Sequence, residues 1–219
     1  MGEPWSAIDA LFERHLLPND PVLEAALADS VAAGLPPHAV SPTQGKLLHL
    51  LARMCGARRI LEIGTLGGYS TIWLARALPE GGELLSLEIS EDHAAVAHQN
   101  LARAGLPNAE VRVGDAHESL RALVAEGVAP FDLIFVDADK KSGPAYLDHA
   151  LALSRRGTVI VVDNVVRGGA VLDEESADAN VRGVRALLAR MGNEPRLSAT
   201  AIQTVGSKGY DGFTLAVVE

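Results

Sequence analysis

The stretch Arg59-Ile60-Leu61-Glu62-Ile63-Gly64-Thr65-Leu66-Gly67-Gly68-Tyr69-Ser70 decides the fold. Arg59 to Ile63 is too short for a helix and mostly apolar; it stops at glycine, and a helical stretch opens near Ser70. That is a strand, a tight turn and a helix. Glu83 to Leu87, Ala109 to Val113, Phe131 to Val136 and Thr158 to Val162 repeat the pattern. Runs that are apolar on both faces belong in parallel sheets. Ser70, Ser90 and the Gly114-Asp115 turn supply helix starts, and Gly105 and Gly127 supply stops. Leu197 to Thr204 and Gly212 to Val218, joined by Gly206-Ser207-Lys208-Gly209, read as a closing antiparallel pair. The sequence therefore predicts an α/β fold: a doubly wound, Rossmann-like, seven-stranded and mostly parallel sheet with helices on both faces.

Upstream of the strands the chain reads as helices. Ile8, Leu11, Phe12 and Leu16 mark one face of a first, and Asp20-Pro21 opens a second that Gly34 closes. Ser41-Pro42-Thr43-Gln44 has the spacing of a capping box and opens a third, running to about Met54. We expect one domain over 1–219, with N-terminal helices in 1–56 and the α/β core in 57–219.

With 219 residues, 48% of them hydrophobic, the chain has ample material for a core. A net charge of −9 disfavours a nucleic acid as partner, since a phosphate backbone would be repelled unless Arg53, Arg58 and Arg59 formed a local patch. A small-molecule enzyme fits better. Cys55 is the only cysteine, so no internal disulfide or thiolate zinc cage can form, and the cytoplasm is the expected compartment. Charges through Met1 to Leu17 fit neither a signal peptide nor a membrane span. Cys55 reads as an inert buried thiol and Trp73 as a core residue.

In such sheets ligands lie beyond the carboxyl ends of the strands. The glycines at 64, 67 and 68 lack the G-x-G-x-x-G spacing of a dinucleotide site. They leave room for close approach of a different ligand, with Glu62 suited to a cationic amino-acid portion. Glu88 closes the second strand, where a carboxylate accepts hydrogen bonds from ribose hydroxyls, with Ile89 just beyond it. Ala116 and His117 follow the third strand, placed to line an adenine edge. Asp137-Ala138-Asp139-Lys140 and Asp163-Asn164 follow the fourth and fifth. If those strands are neighbours, their ends lie roughly 4.8 Å apart, and two carboxylates with an amide oxygen can gather on one hard cation. Mg²⁺ is favoured, with Ca²⁺ or Mn²⁺ as alternatives. The seven histidines show no paired metal spacing; His15, His49, His93, His98 and His149 fall on helices, and Asp139 reads as a loop cap.

Glu62-x-Gly64-x-x-x-Gly68-Tyr69-Ser70, Val136-Asp137-Ala138-Asp139-Lys140 and Asp163-Asn164, in that order, resemble the cation-dependent O-methyltransferases, the group of catechol and caffeoyl-coenzyme A O-methyltransferases and bacterial relatives. The likeness runs from about Val40 to the C-terminus. It implies the methyltransferase variant of the fold, S-adenosylmethionine as donor, a bound divalent cation and a hydroxyl acceptor on a small vicinal-hydroxyl aromatic. By position, Asp137, Asp163 and Asn164 match the metal ligands and Lys140 the general base; spacing alone leaves Lys141 an equal competitor. Val40, Glu62, Gly64, Thr65, Gly68, Ser70, Glu88, Ile89, Ala116, His117 and Asp137 match cofactor-contacting positions. The family also commonly pairs as homodimers, for which Trp5 to Leu17 and Val22 to Ala33 offer apolar faces.

Some residues depart from the pattern. Asp139 stands where animal catechol enzymes carry tryptophan, and Ala116 and His117 replace more polar residues. Val165 to Ala177 is long enough to form a mobile cover over the acceptor. Two other readings stay open: a tRNA hydroxyuridine O-methyltransferase, and a non-catalytic module on the same fold.

Overall fold

The apolar runs pair as parallel strands in the computed structural model, which describes residues 4–219. Residues 1–3 of the expected N-terminal addition lie outside the described residues. β1 (Arg59–Ile63), β2 (Glu83–Glu88), β3 (Ala109–Val113), β4 (Phe131–Val136) and β5 (Ser154–Asp163) stand in the order β3-β2-β1-β4-β5, and the sheet is completed by β7 (Gly209–Val218) and β6 (Leu197–Gly206). The order reverses between β1 and β4, which opens a crevice at their carboxyl ends. β7 lies antiparallel between β5 and β6.

Alternate strand residues point to opposite faces and build two cores. On one face Ile60, Leu84, Leu133, Phe135 and Val161 pack with residues of α2 (Pro21–Ala32), α3 (Pro42–Met54), α4 (Tyr69–Ala75) and α5 (Glu91–Ala104). On the other, Leu61, Leu85, Ile134, Val136 and Ile160 pack with α6 (Ala116–Glu126), α7 (Gly143–Ala152) and α8 (Ala179–Gly192). Two of the N-terminal helices are thus part of a layer. The first, α1 (Trp5–Leu16), has no buried residue; it lies on β6, where Asp9 accepts the amide of Ser207 at 2.6 Å.

Several boundaries differ from those read in the sequence. β5 begins at Ser154, four residues before Thr158, across an irregularity in its pairing with β4 that the Thr158 hydroxyl spans by donating to the Phe131 carbonyl at 2.7 Å. The closing strands are longer than expected and are joined by a two-residue turn between the paired Gly206 and Gly209. Ser70 does not cap its helix: α4 starts at Tyr69 after Gly68 in the left-handed region, and the Ser70 hydroxyl is spent elsewhere. Cys55 is half-buried, its thiol donating to the Ala52 carbonyl at 3.4 Å. Trp73 is buried as expected. No described helix is long and apolar enough to cross a membrane.

Candidate active site

A cleft of about 1210 Å³ opens where β1, β2, β4 and β5 end. Its size suits two small ligands side by side. Gly64, Thr65 and Ser70 line it from the glycine turn, Glu88 and Ile89 from the end of β2, and Ala116 and His117 from the start of α6. Asp137 and Lys140 enter after β4, Asp163 at the end of β5 with Asn164 just after it, and Val40 from the segment before α3. Two expected contact residues are not on the wall. Glu62 is wholly buried, and Gly68 packs against Ala97 of α5.

Glu62 shows what a carboxylate inside a sheet requires. It accepts the hydroxyls of Ser70 at 2.6 Å, Thr71 at 2.5 Å and Ser86 at 2.6 Å. Burial pushes its carboxyl up to about 7, with the three hydroxyls and then the Asp137 charge as smaller influences. Hydrogen-bonded in this way, it braces Ser70 from behind rather than facing the cleft.

Glu88 has a similar double duty. It accepts the backbone amides of Thr65 at 3.2 Å and Leu66 at 2.7 Å, which fixes the glycine turn, and the amide of Ser90 at 3.0 Å. Leu66 sits at φ +51, a conformation that such anchoring sustains. Gly64, at φ +103, is read in the sequence as room for a ligand; the structure gives a nearer reason. A side chain there would run into the backbone of Asp137. His117 stacks on Tyr146 with ring centroids 4.7 Å apart, forming a flat wall.

The acidic pair stands as the strand order requires. Val136 pairs with Val162, so Asp137 and Asp163 leave adjacent strands side by side. Asn164 follows at φ +57, a left-handed geometry that asparagine tolerates better than most residues. The Lys140 ammonium donates to the Asp137 carboxylate at 2.7 Å. Burial pushes Asp163 up to about 7, the Asp137 charge adds to this, and Lys140 and the Gln44 amide oppose it. A buried carboxylate facing a second one is a place where positive charge is favoured. Among the described residues no group of three or more His, Cys, Asp or Glu could hold a metal. The donor set is two carboxylates and an amide oxygen, which fits a hard divalent cation whose remaining ligands come from water or substrate.

Asp139 caps the turn that carries the lysine. It accepts the amide and hydroxyl of Ser142 at 3.2 and 2.6 Å and the hydroxyl of Tyr146 at 2.7 Å. α8 presses on the same turn at Gly183, where any side chain would collide with the backbone of Lys140 and Lys141. Gln44 and Tyr146 are therefore site residues that sequence reasoning missed. Gln44 fitted a capping box, of which only the Ser41 half is seen, its hydroxyl accepting the Gln44 amide at 3.2 Å. Tyr146 carried no signal beyond helical spacing.

The expected cover, 165–177, starts as packed chain: Val165 and Val166 are buried, and Arg185 donates to the Val171 carbonyl at 2.7 Å and pairs with Glu174 at 2.8 Å. The arginines considered for a nucleic-acid patch lie at the opposite end of the sheet from the cleft. Arg59 pairs with Glu83, and Arg58 donates to the Glu80 carbonyl.

Residues 18–217 match the family model described as O-methyltransferase. A catechol O-methyltransferase of Mycobacterium tuberculosis is 54% identical over 212 residues, covering 96% of this chain and 94% of that protein. The solved O-methyltransferase of Bacillus cereus, in complex with SAH, superposes with a TM-score of 0.98 at 56% identity, covering 100% of both chains. TomG of Streptomyces achromogenes, an O-methyltransferase involved in tomaymycin synthesis and solved with SAM, gives 0.96 at 51% identity, covering 100% of this chain and 99% of that one.

Proposed function

The chain belongs to the O-methyltransferase family, and we propose that it transfers the methyl group of S-adenosylmethionine to a hydroxyl of a small catechol-like aromatic, in a reaction that depends on a divalent cation, most simply Mg²⁺. The observation that carries this reading is the meeting of Asp137, Lys140, Asp163 and Asn164 in one cleft with the glycine turn of β1. SAM- and SAH-bound relatives that match the whole chain support the donor. The relative named for catechol supports the acceptor.

Methyl passage from sulfur to oxygen is an in-line displacement, so the chain's main task is to hold the two partners collinear and close. The glycine turn, Glu88 and the His117–Tyr146 wall set the donor. Asp137, Asp163 and Asn164 would hold the cation, which when bound lowers the proton affinity of a chelated hydroxyl and fixes the direction of its oxygen. Lys140 stands beside Asp137, and in its neutral amine form its Nζ is placed to accept the hydroxyl proton, becoming the ammonium. The turn capped by Asp139 holds that side chain in place.

The chain works as one catalytic unit, residues 1–56 with 57–219, because Val40, Ser41 and Gln44 share the cleft with residues of the sheet. It pairs as a homodimer, for which the exposed Ile8, Leu11, Phe12 and Leu16 of α1 offer an apolar face. α2 is a poorer candidate, since Leu23 and Ala26 are already buried within the chain. A cytoplasmic location belongs to the same proposal and rests on the single cysteine.

Incubation with S-adenosylmethionine, Mg²⁺ and either catechol or tRNA, followed by mass spectrometry, tests the reading. Methylated catechol formed only with the cation supports it. Turnover unaffected by chelator defeats the metal's role, and methylated tRNA alone replaces the acceptor.

A further inference from the structure

Arg167 lines the cleft, and no hydrogen bond or ion pair among the described residues engages its guanidinium. It follows Asn164 by three residues, lines the same cleft, and is held at φ +57. The Asp211 carboxylate sets that backbone by accepting the amides of Val166 at 2.9 Å and Arg167 at 3.0 Å, together with that of Gly212 at 2.9 Å. A side chain of this size is seldom found in the left-handed region without such an anchor. The Nε of Arg167 is enclosed and has no hydrogen-bond partner among the described residues. None of the ion pairs formed among them involves its guanidinium.

Several other charged groups of the cleft are already engaged, and Lys141, which is not, is exposed rather than enclosed. Asp9 holds the Ser207 amide, Asp139 holds Ser142 and Tyr146, and Asp211 holds three amides. Lys208 donates to the Pro37 carbonyl at 2.7 Å. A chain of net charge −9 repels anions at a distance, so it takes one up only where a fixed cation waits inside. A guanidinium offers paired N–H groups in a plane, which match a carboxylate better than a single ammonium does.

We propose that Arg167 recognises a carboxylate on the methyl acceptor, so that the preferred substrate is a hydroxylated aromatic acid rather than an uncharged catechol. This rests on the reading of the cleft as an O-methyltransferase acceptor site. Arg167 is then a specificity-determining residue, lining the same cleft as the proposed cation ligands.

The test compares kcat/KM for 3,4-dihydroxybenzoate and for catechol in the wild type, Arg167→Asn and Arg167→Lys. Asparagine keeps the left-handed backbone at low cost, so the variant folds, as an unchanged Tm would verify. The benzoate-to-catechol ratio should fall about tenfold or more in Arg167→Asn, the loss of one charge-assisted contact, and recover in part in Arg167→Lys. A ratio unchanged in Arg167→Asn overturns the inference. If the wild type methylates neither compound, the parent reading has failed, and calorimetric binding of 3,4-dihydroxybenzoate still decides: weaker binding by Arg167→Asn supports carboxylate recognition, and equal binding refutes it.

Discussion

A Cβ on Gly64 would stand 2.5 Å from the carbonyl oxygen of Asp137, so the turn after β1 and the lysine-bearing turn after β4 meet along one seam. The Asp137 amide closes the same seam by donating to the Ile63 carbonyl at 2.8 Å. Gly64→Ala forces the turns apart and strains a backbone at φ +103. We expect it to cost about 2–4 kcal/mol and to lower Tm by roughly 5–15 °C, with methyl transfer lost in step. Calorimetry and a methyl-transfer assay on purified protein would check this, and an unchanged Tm would show the seam to be loose.

Lys140→Ala should lower kcat by about 10²–10⁴-fold, the usual worth of a positioned base, while donor affinity measured by calorimetry stays within a few-fold. Lys141→Ala should not reproduce that loss. Asp137→Ala should abolish cation-dependent turnover with an unchanged circular dichroism spectrum, because Asp137 lies past the end of β4 and belongs to neither hydrophobic core.

Glu62 and Asp163 both keep their protons up to about 7, whereas the ordinary values are 4.5 and 3.8. Between those limits the folded chain binds more protons than the unfolded one, so stability falls as pH rises and levels off above about 7. In chelator, Tm should decline across that window, reflecting a loss of a few kcal/mol. Mg²⁺ should cancel the Asp163 share, and Glu62→Gln should flatten the Glu62 share. Identical pH curves with and without Mg²⁺ would remove Asp163 from the cation site.

Glu88→Ala strips the amides of Thr65 and Leu66 of their acceptor. Stability should drop by about 1–3 kcal/mol, and KM for S-adenosylmethionine should rise more than kcat falls. A variant with altered kcat alone would mean that Glu88 does not shape the donor site.

Phe12→Glu places a charge on the exposed face of α1, where Phe12 is 46% exposed. Analytical ultracentrifugation should show the proposed homodimer giving way to monomer. A dimer that persists at low micromolar concentration would move the interface elsewhere.

The five parallel strands, the closing pair and the carboxyl-end placement of the site were legible because apolar runs and glycine breaks are local signals. The side-by-side arrangement of Asp137 and Asp163 followed once β4 and β5 were taken as neighbours. What escaped depends on contacts between distant segments. Nothing near Gln44 in sequence reveals that it reaches Asp163, and nothing near Gly183 reveals the turn it accommodates. Glu62 was read as suited to a cationic amino-acid portion because it is a carboxylate at the strand end; only the fold brings Ser70, Thr71 and Ser86 around it. The left-handed backbone of Arg167 is likewise invisible until Asp211 arrives from β7.

Because β7 follows β6 in the chain yet sits between it and β5, β6 has no strand to join until β7 is in place. The hairpin must dock as a unit, and its docking sets Phe213 opposite Asp163 and delivers Asp211 to the Arg167 backbone. Assembly of the parallel strands can therefore precede completion of the cleft, whose wall lacks Asp211 and Phe213 until the hairpin arrives.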